Sequence, residues 1–265
     1  MDDFIKITLV ANAGVHVEYN GLGILVDGVH HEEGHPFSQV SKTDLQHIKN
    51  GTDLFKNLDY FLFTHEHPDH FTPQYLLEII QSRSFKGLFL PGELDGSSDL
   101  ALLLKQARSI SIPCWSLGLD PGEVERVELA DDLIVTVIGS EHMGPQYKNI
   151  RNDCFLLTLN GINLLFTGDA DYVAEYYVKA LFEVPLDAVF VNPIFYHNPN
   201  GQEIINKIFR PRATVIYHMP LEQDDTMQLN FMVNRDIKRY ERPDIQTHIL
   251  SEKKRSITLS ASSIK

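Results

Sequence analysis

The sequence predicts an α+β layered domain, and three observations predict it. Its first part opens on a run of strands, its second opens on two hairpins, and both give way to segments with helical apolar spacing. The 265 residues are 43% hydrophobic and 22% charged, the balance of a globular chain long enough to bury a core. No linker rich in Gly, Pro or Ser divides them, and no internal repeat is read from them. A single domain over 1–265 is therefore expected.

Residues 4–11, 14–21 and 23–28 read as strands, with Asn20-Gly21 as a turn between the second and third. The apolar run 58–63 reads as a buried strand that ends abruptly in a polar loop. A helix follows over 73–82: Thr72 suits the N-cap, Pro73 the first helical position, and Leu76, Leu77, Ile79 and Ile80 give it an apolar face. A strand at 85–90 and a helix over 99–107 complete the first part. In the second, 123–129 and 133–138 form a hairpin through Ala130-Asp131-Asp132, and 154–159 and 162–166 form another through Asn160-Gly161. Helices over 172–182, 201–209 and 226–239 then alternate with strands at 187–191 and 214–217. The order of strands in a sheet does not follow from this pattern.

Charge narrows the partners. With 23 Lys plus Arg against 36 Asp plus Glu, the net charge is −13, and no basic stripe faces a phosphate backbone. Nucleic acid is not expected as a partner. The amino terminus MDDFIKITLV lacks a basic lead, and no apolar run approaches the ~18 residues of a membrane span, so a cytoplasmic protein without a membrane partner is expected. Cys114 and Cys154 have no metal-ligand spacing and read as buried thiols.

The chemistry concentrates after the strand at 58–63. Only 12 residues are histidine, yet His65, His67 and His70 fall within six positions, with Asp69 among them. In extended backbone, residues i and i+2 face the same way. His65 and His67 can therefore converge on one cation, while the turn at Pro68 presents Asp69 and His70 to another. Imidazole with carboxylate suits Zn2+, with Fe or Mn as alternatives. The competing reading, a polar loop whose histidines cap the next helix, leaves clustered imidazoles that are costly to satisfy.

His65-x-His67-x-Asp69-His70 after a buried strand resembles the metallo-β-lactamase-fold superfamily of metal-dependent hydrolases. The resemblance runs from about Ile5 to Leu250. It implies a four-layer αββα sandwich with further ligands at later strand ends: His142 in Gly139-Ser140-Glu141-His142, Asp169 in Phe166-Thr167-Gly168-Asp169, and His218 after Val215-Ile216-Tyr217. By the same resemblance His65, His67 and His142 hold one divalent ion, Asp69, His70 and His218 a second, and Asp169 bridges them. Zn2+ is the first expectation, Mn2+ or Fe2+ the alternatives. Asp69 and Asp169 are then the catalytic carboxylates, and a bridging hydroxide attacks without a protein nucleophile. Asp27, in Leu25-Val26-Asp27-Gly28, is placed to orient a ligand from behind, although a plain strand-end turn fits it as well.

The resemblance also places substrate-facing loops after two strands. His30, His31, His35 and Phe37 in one and Phe195, Tyr196 and His197 in the other are expected to line the substrate, with solvated loops as the competing reading. Tyr147, Lys148 and Arg151 are weaker candidates. His16 reads as a surface residue, and His47 and His248 as structural or exposed. The expected substrate is a small anionic or carbonyl-bearing ester, lactone or phosphoester, and the short-chain pattern looks similar to the branch containing the ascorbate phosphate lactonases. An iron-dependent redox enzyme on the same scaffold and a nuclease of RNA-processing type are the alternatives.

Overall fold

Both Asn-Gly pairs adopt the backbone that a two-residue hairpin requires: φ is 47° and 79° at Asn20-Gly21, and 47° and 81° at Asn160-Gly161. Around them the computed structural model, which describes residues 4–31, 36–93 and 96–260, divides into two compact units. One comprises 1–118 with 252–265, the other 119–251.

The first unit contains β1 (Phe4–Ala11), β2 (Gly14–Tyr19), β3 (Leu22–Val26), β4 (Leu58–Leu62), β5 (Gly87–Leu90), β6 (Cys114–Ser116) and β14 (Ser256–Ser260). Their order in the sheet is β14-β1-β2-β3-β4-β5-β6. Pairing is antiparallel from β14 to β3 and parallel from β3 to β6. Parallel neighbours need long crossovers, and α1 (Lys42–Asn50), α2 (Pro73–Ile80) and α3 (Ser98–Ser109) supply them. Leu45 and Ile48 of α1, Leu76 and Ile79 of α2 and Leu100 and Leu104 of α3 pack with Leu25, Phe61 and Leu88 of the sheet in one apolar core.

The second unit repeats the plan. It contains β7 (Val124–Ala130), β8 (Leu133–Glu141), β9 (Arg151–Leu159), β10 (Ile162–Phe166), β11 (Ala188–Val191), β12 (Ala213–Ile216) and β13 (Gln246–Ile249), neighbours in that order. Again the first four strands are antiparallel and the rest parallel. Its helices are α4 (Glu175–Val178), α5 (Pro193–His197), α6 (Pro199–Ile204) and α7 (Leu229–Tyr240). The expected α+β class is found in each unit.

Several expectations change in detail. The helix expected over 172–182 shrinks to the four residues of α4. Val173, Tyr176, Tyr177 and Val178 are weak helix formers, and the segment is anchored instead by buried Tyr177 and Leu181. The one over 201–209 starts earlier, at Pro199, and ends in a π turn, Ile205–Phe209. α7 starts at Leu229, where the Asp225 carboxylate accepts from Leu229 N and Asn230 N at 2.8 and 2.9 Å. α1, β6, β13 and β14 were not anticipated. His16 is not a surface residue: it is 2% exposed, because the turn Asp53–Phe55 covers its side of the sheet. Cys154 is buried as expected, whereas Cys114 on strand β6 is half-buried. Among the described residues, no helix is long and apolar enough to cross a membrane.

Asp153 on β9 is a buried acid whose pKa is pushed up to about 7 by burial. Between about pH 4 and 7 the unfolded chain has lost this proton while the native chain keeps it. Stability attributable to Asp153 therefore falls as pH rises through that window. Asp153→Asn should remove the loss, making the variant more stable than the parent at pH 8 by on the order of 2–4 kcal/mol and nearly equal to it at pH 4 in urea denaturation.

Candidate metal centre

The loop after β4 is organised by a carboxylate that lies on another strand. Asp27, fully buried and left-handed at φ 47°, follows β3. Its Oδ1 accepts from Thr64 N at 2.8 Å, and its Oδ2 accepts from Thr64 Oγ1 at 2.8 Å and from His70 Nδ1 at 3.0 Å. These bonds settle where protons sit. The Thr64 hydroxyl has given its hydrogen to Asp27, so at 3.0 Å from His65 Nδ1 it can only accept. His65 and His70 therefore both carry a proton on Nδ1, and both turn Nε2 away from Asp27. His65 Nε2 lies 3.0 Å from His67 Nδ1, and His70 Nε2 lies 3.8 Å from Asp69 Oδ2. Asp27 thus sits at a strand-end turn, and from it the carboxylate reaches Thr64 and His70.

Asp69 is steadied by Asn12, a residue that the sequence reading missed. Asn12 closes β1 in a left-handed turn at φ 48°, is fully buried, and donates Nδ2–H to Asp69 Oδ2 at 3.2 Å. A left-handed Asn at a strand end is a recognisable turn signal, but nothing in the sequence joins it to a residue fifty-seven positions away.

The second unit builds a matching half-set. His142, after β8, donates Nδ1–H to Met143 O at 2.7 Å, which again turns Nε2 the other way. That nitrogen lies 3.4 Å from Asp169 Oδ2, while His218 Nε2 lies 3.7 Å from Asp169 Oδ1. The two oxygens of Asp169 thus face different histidines. Asn192, at the start of α5, donates to Asp169 Oδ1 at 2.9 Å and to Gly168 O at 3.1 Å, while its own Oδ1 accepts from Phe195 N. Asn152 Oδ1 accepts from Asp169 N at 2.9 Å. Left-handed Gly168 (φ 56°) and His218 (φ 55°) make the sharp turns that end their strands. The Tyr147 ring meets His142 edge-on at 4.8 Å. Nearby, the Tyr172 phenol is pushed up to about 12 by burial and then by Asp171 and Asp169, so it stays protonated.

The expected substrate residues divide. His30 is fully buried just after β3, and His31 is half-buried, with Nδ1–H donated to Val40 O at 2.8 Å. Phe37 is half-buried, and His35 lies outside the described residues. Phe195 and Tyr196 are corrected: both pack in the apolar core of the second unit and present no side chain as a wall. The short helix α5 turns their rings inward, an effect that strand-end placement alone does not anticipate. His197 is tied to α7, its Nδ1 2.5 Å from the buried Asp236 carboxylate. Arg151 is engaged by Asp120 at 2.7 Å, and Lys148 is exposed.

No family model and no curated protein matches the chain. Solved structures do match it. Igni18, a metallo hydrolase from the hyperthermophilic archaeon Ignicoccus hospitalis, aligns at TM-score 0.62 with 19% identity, over 97% of this chain and 98% of its own. Unliganded yeast PDE1 aligns at TM-score 0.64 with 14% identity, over 98% and 100%. CmlA, a diiron β-hydroxylase from Streptomyces venezuelae, aligns at TM-score 0.62 with 17% identity over 98% of this chain, which spans only 54% of CmlA. At such identities the likeness establishes the fold alone: this chain has the α+β fold that these solved structures share.

Removal of Asp27 should be felt as lost stability before any question of catalysis arises. Asp27→Ala strands the Thr64 donors and His70 Nδ1–H in a buried site, and should lower the unfolding free energy of metal-free protein by about 3–5 kcal/mol. Asp27→Asn, which keeps one acceptor oxygen, should lose less. A change under about 1 kcal/mol in both variants would contradict the network.

Proposed function

We propose that this protein is a hydrolase that works with two divalent metal ions on a small anionic or carbonyl-bearing molecule, an ester, lactone or phosphoester. The observation that carries the reading is the proton placement. His65, His70 and His142 each commit Nδ1–H to the protein, so their Nε2 atoms are turned away from those partners, towards His67, Asp69 and Asp169 respectively. Neutral imidazoles held in this way suit a cation, and the partner behind each ring is the usual device for fixing a metal ligand. On this reading His65, His67 and His142 hold one ion, Asp69, His70 and His218 hold the other, and Asp169 serves both with its two oxygens.

When bound, two such cations lower the pKa of a shared water and stabilise the attacking and leaving oxygens. The chain's own part is positional. Asp27 and Thr64 fix His65 and His70, Asn12 fixes Asp69, and Asn192 and Asn152 fix Asp169. Against two dications the set offers only the carboxylates Asp69 and Asp169, so the centre stays electropositive within a chain of net charge −13. That balance supports an anionic or carbonyl-bearing substrate, and the lack of a basic stripe supports a small molecule over nucleic acid. The imidazole-rich donor set supports Zn2+ first, with Mn2+ and Fe2+ as alternatives.

Turnover should be measured on phosphodiester, lactone, thioester and carboxyl ester substrates after loading with Zn2+, Mn2+ or Fe2+. Hydrolysis of at least one is expected. Asp169→Ala should cut it by roughly a hundredfold or more at equal occupancy of the remaining ion, since a misplacement of about 1 Å at the reacting centre has that effect. Near-parental turnover in that variant, or dioxygen consumption by the iron form in place of any hydrolysis, would sink the proposal.

A further inference from the structure

The first unit concentrates a different set of charged groups on the sheet face formed by β14, β1 and β2. Lys6 pairs with Glu18 and Thr8 with His16 across β1 and β2, so all four side chains share one side of the sheet. Ser256 joins them from β14, opposite Thr8 and hydroxyl to hydroxyl at 2.8 Å. Lys254, Asp53, Lys56 and Asn57 close the surround, and the result is a cleft of about 390 Å3. Small-ligand sites commonly span roughly 300–1,000 Å3. Three lysines meet here in an acidic protein. Lys254 is answered by Asp53 at 2.7 Å, and Glu18 is the one further acid set against Lys6 and Lys56 among the lining residues.

In the wall of the cleft stands His16, 2% exposed, with neither Nδ1 nor Nε2 hydrogen-bonded. Burial of a polar ring without a partner is costly, and natural proteins keep such a group where something else satisfies it. Its niche is shaped for it. A Cβ on Gly23 would stand 2.9 Å from His16 Nε2, so the glycine leaves the room the ring fills, and Phe55 holds the ring edge-on at 5.7 Å. Burial, and then the charge of Lys6, push its pKa down to about 4. At neutral pH the ring is uncharged and keeps one N–H to donate. The charged groups around it are Lys6, Glu18, Asp53, Lys56 and Lys254, and none of them belongs to the proposed metal set.

We propose that this cleft binds a small molecule bearing one phosphate or carboxylate group, with Lys6 and Lys56 as its cationic contacts, the Thr8–Ser256 hydroxyl pair as a further donor, and His16 as the buried group that gains a partner on binding. Phosphate and carboxylate share this chemistry, and the probes separate them.

Calorimetric titration of the metal-loaded full chain with glycerol 3-phosphate, inorganic phosphate and acetate tests the proposal. At least one should bind saturably with a dissociation constant of millimolar or tighter, and its addition should shift the His16 ring resonances. Affinity should fall at least tenfold in the double variant Lys6→Glu, Lys56→Glu, whose two positions are exposed, with circular dichroism confirming that the variant folds. It should be unchanged in Asp169→Ala. Binding that survives the lysine substitutions, or that disappears in Asp169→Ala, would place the anion elsewhere and overturn the proposal. Absence of binding by all three probes would overturn it as well, and a silent His16 ring during saturable binding would remove His16 from the site.

Discussion

Everything in the first half of the candidate centre hangs on one buried carboxylate. Asp27 is a carboxyl group in a fully buried position, which is tolerable only because three donors converge on it. Those donors are the start of the loop after β4 and one of its histidines. The carboxylate therefore decides the path of the loop and the tautomers of two imidazoles in a single stroke. The parallel pairing of β3 with β4 is what places the Asp27 and Thr64 strand ends side by side. Without that adjacency the histidine motif would be a polar loop with no fixed lone pairs.

The second unit reaches the same end by other means. Its sheet follows the same plan of four antiparallel strands continued by three parallel ones, and its acid also follows the last antiparallel strand, β10. Here the acid itself, Asp169, faces two histidines, and amides rather than a carboxylate steady it. An amide donor fixes a carboxylate oxygen without adding charge, so each half-set contributes one candidate ligand carboxylate, Asp69 or Asp169, held by a neutral Asn.

How much of this was legible in the sequence follows from the range of each interaction. His65, His67, Asp69 and His70 were readable because a period of two and one proline turn are local facts. His142, Asp169 and His218 became visible only through the resemblance, since a lone residue after a strand is ambiguous. Asn12, Asn152 and Asn192 were not readable: an Asn beside a turn is commonplace, and what distinguishes these three is a contact made by strands distant in sequence. The doubled sheet plan left no repeat in the sequence because pairing direction is a property of connections, not of composition. Phe195 and Tyr196 were misread for a related reason. Their position after β11 suggested an exposed loop, whereas Asn192 caps a helix there and turns both rings into the core. His16 shows the reverse error, because strand alternation placed it on an outer face that a later turn covers.

On the reading proposed above, the protein holds two divalent ions. The most direct measurement is anomalous diffraction from crystals of zinc-loaded protein, recorded on both sides of the zinc absorption edge. Two anomalous peaks per chain about 3.5–4 Å apart are expected, one beside the Nε2 atoms of His65 and His142 and one beside those of His70 and His218. A single peak, or peaks away from these residues, would contradict that reading.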